Sequence, residues 1–159
     1  MSTARSGIAY DLHRLEAGRK LILGGVKVDF DKGPAGHSDG DVLAHAICDA
    51  LLGAAGAGDI GTHFPDTDAK WKGVSSLVFL EHARKLIDAR GLRINHIDAV
   101  VITERPKLVP HFRAMKETLG RALGIQSERI NLKAKTNEGV DAIGRGEAIA
   151  AHAIATLEG

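Results

Sequence analysis

Hydrophobic positions along this chain recur with period two in some stretches and at three- and four-residue spacing in others, so strands and helices interleave. Gly7 to His13 predicts a first strand. Leu21-Ile22-Leu23 and Val26-Lys27-Val28 flank Gly24-Gly25, a pair suited to a tight hairpin turn. Gly33-Pro34 marks Asp31 to Gly36 as a loop. A helix is expected from about Asp39 to Ala55, with Ser38 able to cap it and Leu43, Ile47, Ala50, Leu51 and Ala54 forming its apolar stripe. Ser75 or Ser76 caps a second helix, which turns Leu77, Leu80, Ala83, Leu86 and Ile87 inward and stops at Gly91. A strand centred on Ile97 to Ile102 ends before Pro106. A third helix follows Pro110, carries Phe112, Met115, Leu119 and Leu123, and ends near Gly124. Ile130 to Thr136 alternates as a strand with one packed face. Ala148, Ile149, Ala151, Ile154 and Leu157 predict a closing helix. One hairpin among irregularly interleaved elements favours an α+β fold, a single domain over residues 1–159 with a mixed sheet packed against helices.

Composition narrows the function classes. At 159 residues the chain can bury roughly 70% of its unfolded surface. A net charge of +1 gives no electrostatic reason to expect nucleic acid or an acidic membrane as partner, and 4% aromatic residues leave little for base stacking. Cys48 alone excludes an internal disulfide and suits a reducing compartment. No apolar run reaches membrane-span length and the start lacks a signal-peptide core, so the expected location is cytoplasmic.

Candidate chemistry lies in two segments. Asp11 and His13 share a face if residues 8–13 are a strand, and His45 lies on the second turn of a helix capped by Ser38. Two imidazoles and a carboxylate, with a fourth position open, make the ligand count of a catalytic zinc site. Asp41, His45 and Asp49 share one helix face, which makes Asp41 or Asp49 the candidate acceptor for the second ring nitrogen of His45. Cys48, one turn on, reads as a small buried apolar group. His82, His96, His111 and His152 have no partner pattern. Gly56 to Gly61 matches a dinucleotide fingerprint in letters, but it follows a helix rather than a strand and reads as a helix exit. Residues 63–73 form a polar, Pro- and Gly-punctuated loop of lid length, whose Asp66 and Asp68 suit either hydroxyl recognition or local Asx turns.

Several motifs occur together in order: Tyr10-Asp11-Leu12-His13, Gly36 to His45, Gly58-Asp59-Ile60-Gly61, Phe64-Pro65-Asp66-Thr67-Asp68, Arg105-Pro106-Lys107, Lys133 to Glu138, and Gly144-Arg145-Gly146-Glu147. In these the chain closely resembles the 2-C-methyl-D-erythritol 2,4-cyclodiphosphate synthase family of non-mevalonate isoprenoid biosynthesis, over nearly its whole length. The resemblance implies a cytoplasmic homotrimer with sheets toward the threefold axis and active sites between subunits. Its substrate is a cytidyl diphosphate, 4-diphosphocytidyl-2-C-methyl-D-erythritol 2-phosphate, which is closed into the cyclic diphosphate with release of CMP. One zinc ion (Zn2+) per chain would sit on Asp11, His13 and His45, and Glu138 would hold a second divalent cation, magnesium or manganese (Mg2+ or Mn2+). The resemblance puts His37, Ser38, Lys135 and Thr136 at the reacting phosphates, with His37, Lys135 and Thr136 as the catalytic candidates. It puts Asp59 and Gly61 at the ribose, and Asp66 with Thr67 and Asp68 of the following loop at the methylerythritol part, with Ile60 and Phe64 also among the substrate-binding residues. Thr103, Glu104, Arg105, Pro106, Lys107 and Leu108 would line the cytosine pocket, with Ala134 and Arg145 completing the binding set.

Two departures accompany the likeness. Many relatives carry threonine where this chain has Lys135 and Asn137, and residues 140–143 lack a phenylalanine common there. In some members that region and Arg145 line an axial channel for isoprenoid diphosphates. Two other readings fit the same residues: a metal-dependent phosphodiester enzyme of different outcome, and a non-catalytic trimeric nucleotide- or isoprenoid-diphosphate-binding protein.

Overall fold

A computed structural model describes residues 4–159. The backbone of the fold is a sheet of five strands in the order β4-β1-β7-β5-β6. The first to form in sequence is β1 (Ala4–Ala17), longer at both ends than residues 7–13. The hairpin β2 (Leu21–Leu23) and β3 (Val26–Val28) follows as expected, with Gly24 and Gly25 both at positive φ. β4 (Lys32–Pro34) lies where a loop was expected and pairs antiparallel with the end of β1. The proline is tolerated because β4 is an edge strand.

Helix α1 (Val42–Ala55) carries the largest share of the core. Asp41, not Ser38, is its N-cap, accepting from Ala44 N at 2.9 Å. The same buried carboxylate accepts from Gly24 N at 2.9 Å and Gly25 N at 2.7 Å, so it ties the hairpin to the start of α1. Gly56 closes the helix in the left-handed region. Cys48 is fully buried against Phe79, and burial pushes its thiol pKa well up. The short α2 (Ile60–His63) is capped by Asp59 and leads through a 3-10 turn at Ala69–Trp71 to α3 (Leu77–Ala89). β5 (Arg93–Ile102), α4 (Phe112–Leu123), β6 (Ile130–Lys135) and the short α5 (Asp141–Gly144) come next.

The last element corrects the sequence reading. β7 (Ala148–Glu158) is the central strand, not a helix, pairing antiparallel with β1 and β5. Its odd positions Ile149, Ala151, Ala153, Ala155 and Leu157 are buried under the helices, while His152 and Ile154 are exposed on the opposite face. Alanine is needed there because α1 lies close over β1 and β7; a Cβ on Gly7 would meet Ala50 O at 2.0 Å. β5 and β6 run parallel, which makes the sheet mixed and the fold α+β. All helices of the main core lie on one face. On the other face the short α5 covers Ala148 and Ala150, and the rest of β1 and β7 is bare, with Ile8 75%, Tyr10 52%, Leu12 46% and Ile154 46% exposed. No helix among the described residues is long and apolar enough to cross a membrane.

Candidate active site

On β1, Asp11 and His13 point to the helix side two residues apart, and α1 presents His45 to them from its first turn, one turn earlier than expected. Asp11 Oδ2 lies 3.0 Å from His13 Nε2 and 3.1 Å from His45 Nδ1, and the two nitrogens are 3.3 Å apart. This trio is the one group of three potential metal ligands among the described residues. A tetrahedral ion bound at about 2.0–2.1 Å has ligand edges of about 3.3–3.4 Å, so the triangle is nearly of the right size and leaves one corner open. The chemistry of the donors agrees. His13 Nδ1 lies 2.9 Å from Ala35 O, and a carbonyl only accepts, so Nδ1 keeps its hydrogen and Nε2, otherwise bonded to Asp11, is the nitrogen a metal would take.

Electrostatics around the trio favour a cation. Burial raises the Asp11 pKa, but hydrogen bonds and charge from His13 and His45 outweigh it and hold the carboxyl below its usual range. The hydrogen bond to Asp11 in turn raises His13 above its usual value, against burial. Neither Asp41 nor Asp49 serves His45. Asp41 is spent on the hairpin and helix cap, and Asp49 accepts from Ile60 N at 2.6 Å. His45 Nε2 instead lies 2.8 Å from Ser76 Oγ and 3.0 Å from Ser38 Oγ.

A cavity of about 160 Å³ opens beside the trio, lined by His13, His37, Ser38, His45, Ile60, Phe64, Asp66, Trp71 and Phe79. Trp71 packs edge-on to Phe64 at a centroid distance of 4.9 Å, and Phe64 stacks on Phe79 at 4.3 Å. The loop after α2 is tied down beside it, since Gly73 N donates to His37 O at 2.8 Å. Asp59 and Asp68 have local duties as well. Asp59 Oδ1 accepts from Thr62 N and Thr62 Oγ1, and Asp68 accepts from Lys70 N in an Asx turn. Gly61 and Thr67 are exposed nearby.

The remaining candidates collect elsewhere. Thr103, Glu104, Pro106, Lys107, Leu108, Ala134, Lys135 and Thr136 line a second cavity of about 340 Å³, where the C-terminal ends of β5 and β6 meet. Arg105 and Arg145 line a third of about 420 Å³ with Lys32 and Glu104. Arg145 is also held in a two-point ion pair with Glu147. Glu138 is exposed in the left-handed region, within hydrogen-bond distance of Thr136, and does not join the trio. No residue lines both the cavity at the trio and the one at Thr103.

Sequence reasoning missed Ser76, Asp39, Ala35, Trp71 and Phe79. Ser76 looks like an ordinary helix cap, yet it makes no cap bond and is buried with its hydroxyl on Asp39. His82, read as partnerless, lies 3.3 Å from His63 Nδ1 through Nε2 and packs on Phe64.

With this geometry in view, likeness to other proteins decides the family. The YgbB family model matches residues 4–158. The chain belongs to the YgbB family. A 2-C-methyl-D-erythritol 2,4-cyclodiphosphate synthase of Desulfosudis oleivorans is 56% identical over 96% of this chain and 91% of that protein. One of Gloeobacter violaceus is 53% identical over 97% and 94%. Among solved structures, a 2C-methyl-D-erythritol-2,4-cyclodiphosphate synthase bound to CDP superposes with a TM-score of 0.88, at 44% identity over 96% of this chain and 99% of that one. IspF of Plasmodium falciparum in complex with CDP superposes with a TM-score of 0.86, at 35% identity over 97% and 95%.

Proposed function

We propose that this chain is a 2-C-methyl-D-erythritol 2,4-cyclodiphosphate synthase. It closes 4-diphosphocytidyl-2-C-methyl-D-erythritol 2-phosphate into the cyclic diphosphate and releases CMP. The observation that carries the reading is the convergence of Asp11, His13 and His45 on one open-cornered point, in a chain more than half identical to enzymes of that name.

Asp11, His13 and His45 are assigned to one zinc ion, and Glu138 to a second divalent cation, magnesium or manganese, for which a carboxylate is a suitable hard ligand. The bound cations supply charge neutralisation and polarisation of phosphate oxygens, which an attack of phosphate on diphosphate requires. The nucleophile is the substrate's own 2-phosphate and the bond formed is to the β-phosphorus, while the bond to the CMP oxygen breaks. No protein nucleophile is needed, so the chain's work is to hold the two reacting phosphates together. His37, Ser38, Lys135 and Thr136 are assigned to those phosphates as hydrogen-bond and charge partners. Asp66, with Phe64, Thr67 and Asp68, takes the methylerythritol part, and Asp59, Ile60 and Gly61 take the ribose. Thr103 to Leu108 with Ala134 take the cytosine, and Arg145 completes the set. Ile60, Phe64, Trp71 and Phe79 form an apolar wall beside the trio, which keeps out water that would otherwise compete as nucleophile.

The active form is proposed to be a cytoplasmic homotrimer with its sheets toward the threefold axis. The bare face bearing Ile8, Tyr10, Leu12 and Ile154 supports this, because monomers rarely expose such a patch. So does the division of the candidate residues between cavities with no shared lining, which suits a site assembled from two neighbouring chains. The test is incubation with the cytidyl substrate and magnesium, followed by phosphorus NMR. Cyclic diphosphate plus CMP is expected, and loss of both in His45→Ala. An opened phosphate, or product formation that survives His45→Ala, overturns the proposal.

A further inference from the structure

His45 meets the metal centre through Nδ1, which works only if the ring hydrogen is on Nε2. We infer that Ser76 and Asp39 are positioning residues that keep a ring hydrogen on Nε2, so that Nδ1 is the nitrogen His45 offers to an ion. The inference rests on the reading of Asp11, His13 and His45 as a metal centre.

The direction of each hydrogen bond follows from what each group can donate. Asp39 is a carboxylate and only accepts. It takes the Ser76 backbone N–H on Oδ2 at 2.9 Å and the Ser76 hydroxyl hydrogen on Oδ1, where Asp41 N also donates at 3.1 Å. A serine hydroxyl has one hydrogen, and here it is committed to Asp39. Toward His45 Nε2, 2.8 Å away, Ser76 Oγ can therefore only accept. The imidazole must donate from Nε2, so Nδ1, which without an ion gives its hydrogen to Asp11 Oδ2 at 3.1 Å, is the nitrogen left to a metal. Ser38 Oγ, 3.0 Å from the same nitrogen, has no comparable carboxylate anchor; its one other hydrogen bond is accepted from Gly40 N at 3.4 Å.

Position adds to this effect. Ser76 is completely buried at the start of α3, and Asp39 lies in the segment entering α1. Their contact therefore locks the helix that carries His45 to a neighbouring helix, so the ring is oriented as well as protonated correctly. Partners of metal-bound histidines typically change metal affinity by about ten- to a hundredfold when removed.

The test compares wild type, Ser76→Ala, Asp39→Asn and the hydroxyl-retaining Ser76→Thr. Zinc affinity is measured by competition with a chromogenic chelator, and solvent exchange of the His45 Nε2 hydrogen by nitrogen-15 NMR of the zinc-loaded protein. Ser76→Ala should weaken zinc about ten- to a hundredfold and speed exchange of the Nε2 hydrogen with solvent. Asp39→Asn should shift both readouts in the same direction, and Ser76→Thr should restore most of the affinity. Wild-type affinity and unchanged Nε2 hydrogen exchange in folded Ser76→Ala and Asp39→Asn would overturn the inference while leaving the metal centre standing. Failure of the wild type to bind zinc would refute the metal centre and this inference with it.

Discussion

Replacing Gly7 with alanine should damage both the fold and the proposed metal centre, because the two depend on one close contact. A Cβ at position 7 would lie 2.0 Å from Ala50 O and 2.5 Å from Ala54 N, both backbone atoms of α1. Contacts under 3.0 Å are essentially never seen, so α1 must lift from β1 by about 1 Å. Overpacking of this kind costs about 1–3 kcal/mol, and backbone partners that cannot swing aside put this case at the upper end. The same shift separates His45 on α1 from Asp11 and His13 on β1, whose donor atoms now stand 3.0–3.3 Å apart. Metal–ligand distances tolerate only about 0.2 Å, so zinc affinity should fall by an order of magnitude or more. Gly53 provides the control, since its added Cβ would meet only Gly7 Cα at 3.9 Å. Alanine there should stabilise by about 0.4–1 kcal/mol through the helix and the unfolded chain. Urea unfolding of the metal-free variants, with chelator competition for zinc, reads both effects. Equal stability of Gly7→Ala and wild type, or shifts of the same sign in both variants, would refute the reasoning.

Asp41→Asn keeps at most one accepting oxygen where the carboxylate serves Gly24, Gly25 and Ala44, and turns an amide donor toward Gly25 N. Denaturant midpoints should report a loss of about 1–3 kcal/mol. Burial, then the charges of His63 and Lys85, hold the His82 pKa below its usual 6.5. A lowered histidine pKa means the unfolded chain takes the proton first. Stability is therefore intact above pH 6.5 and falls as pH drops from there through the folded-state value, and thermal melts of His82→Gln should lack that loss. Ile154→Lys puts a charge on the exposed sheet face beside Ile8, and sedimentation should show the proposed trimer dissociating with loss of turnover. A fully active monomer would contradict the shared site.

Elements whose signal is local were legible in the sequence. The hairpin at Gly24-Gly25 and α4 ending at Gly124 follow from spacing alone, while spacing made Asp11, His13 and His45 a candidate trio that the family resemblance then supported. β7 was not, because alanine favours helices when no tertiary contact opposes it. What decides its conformation is a sheet position between β1 and β5 with α1 packed hard against one face, and the burial of alternate residues becomes meaningful only in that setting. Gly33-Pro34 reads as a turn in isolation. Yet Gly33 sits flush against Lys20, where a Cβ would come within 2.2 Å of the carbonyl oxygen, and Pro34 closes a sheet edge. The partner of His45 was hidden for a similar reason. Asp41 and Asp49 share its helix face, but Ser76 reaches it from 31 positions away, and no spacing rule links a buried serine to a histidine at that distance.

Asp11 and His13 of β1 and His45 of α1 are proposed to hold one zinc ion. Elemental analysis of the purified protein, beside His13→Ala and His45→Ala, tests it most directly. About one zinc per chain is expected in the wild type, with loss of the ion in both variants. A wild type that takes up no zinc, or variants that keep a full complement, would contradict it.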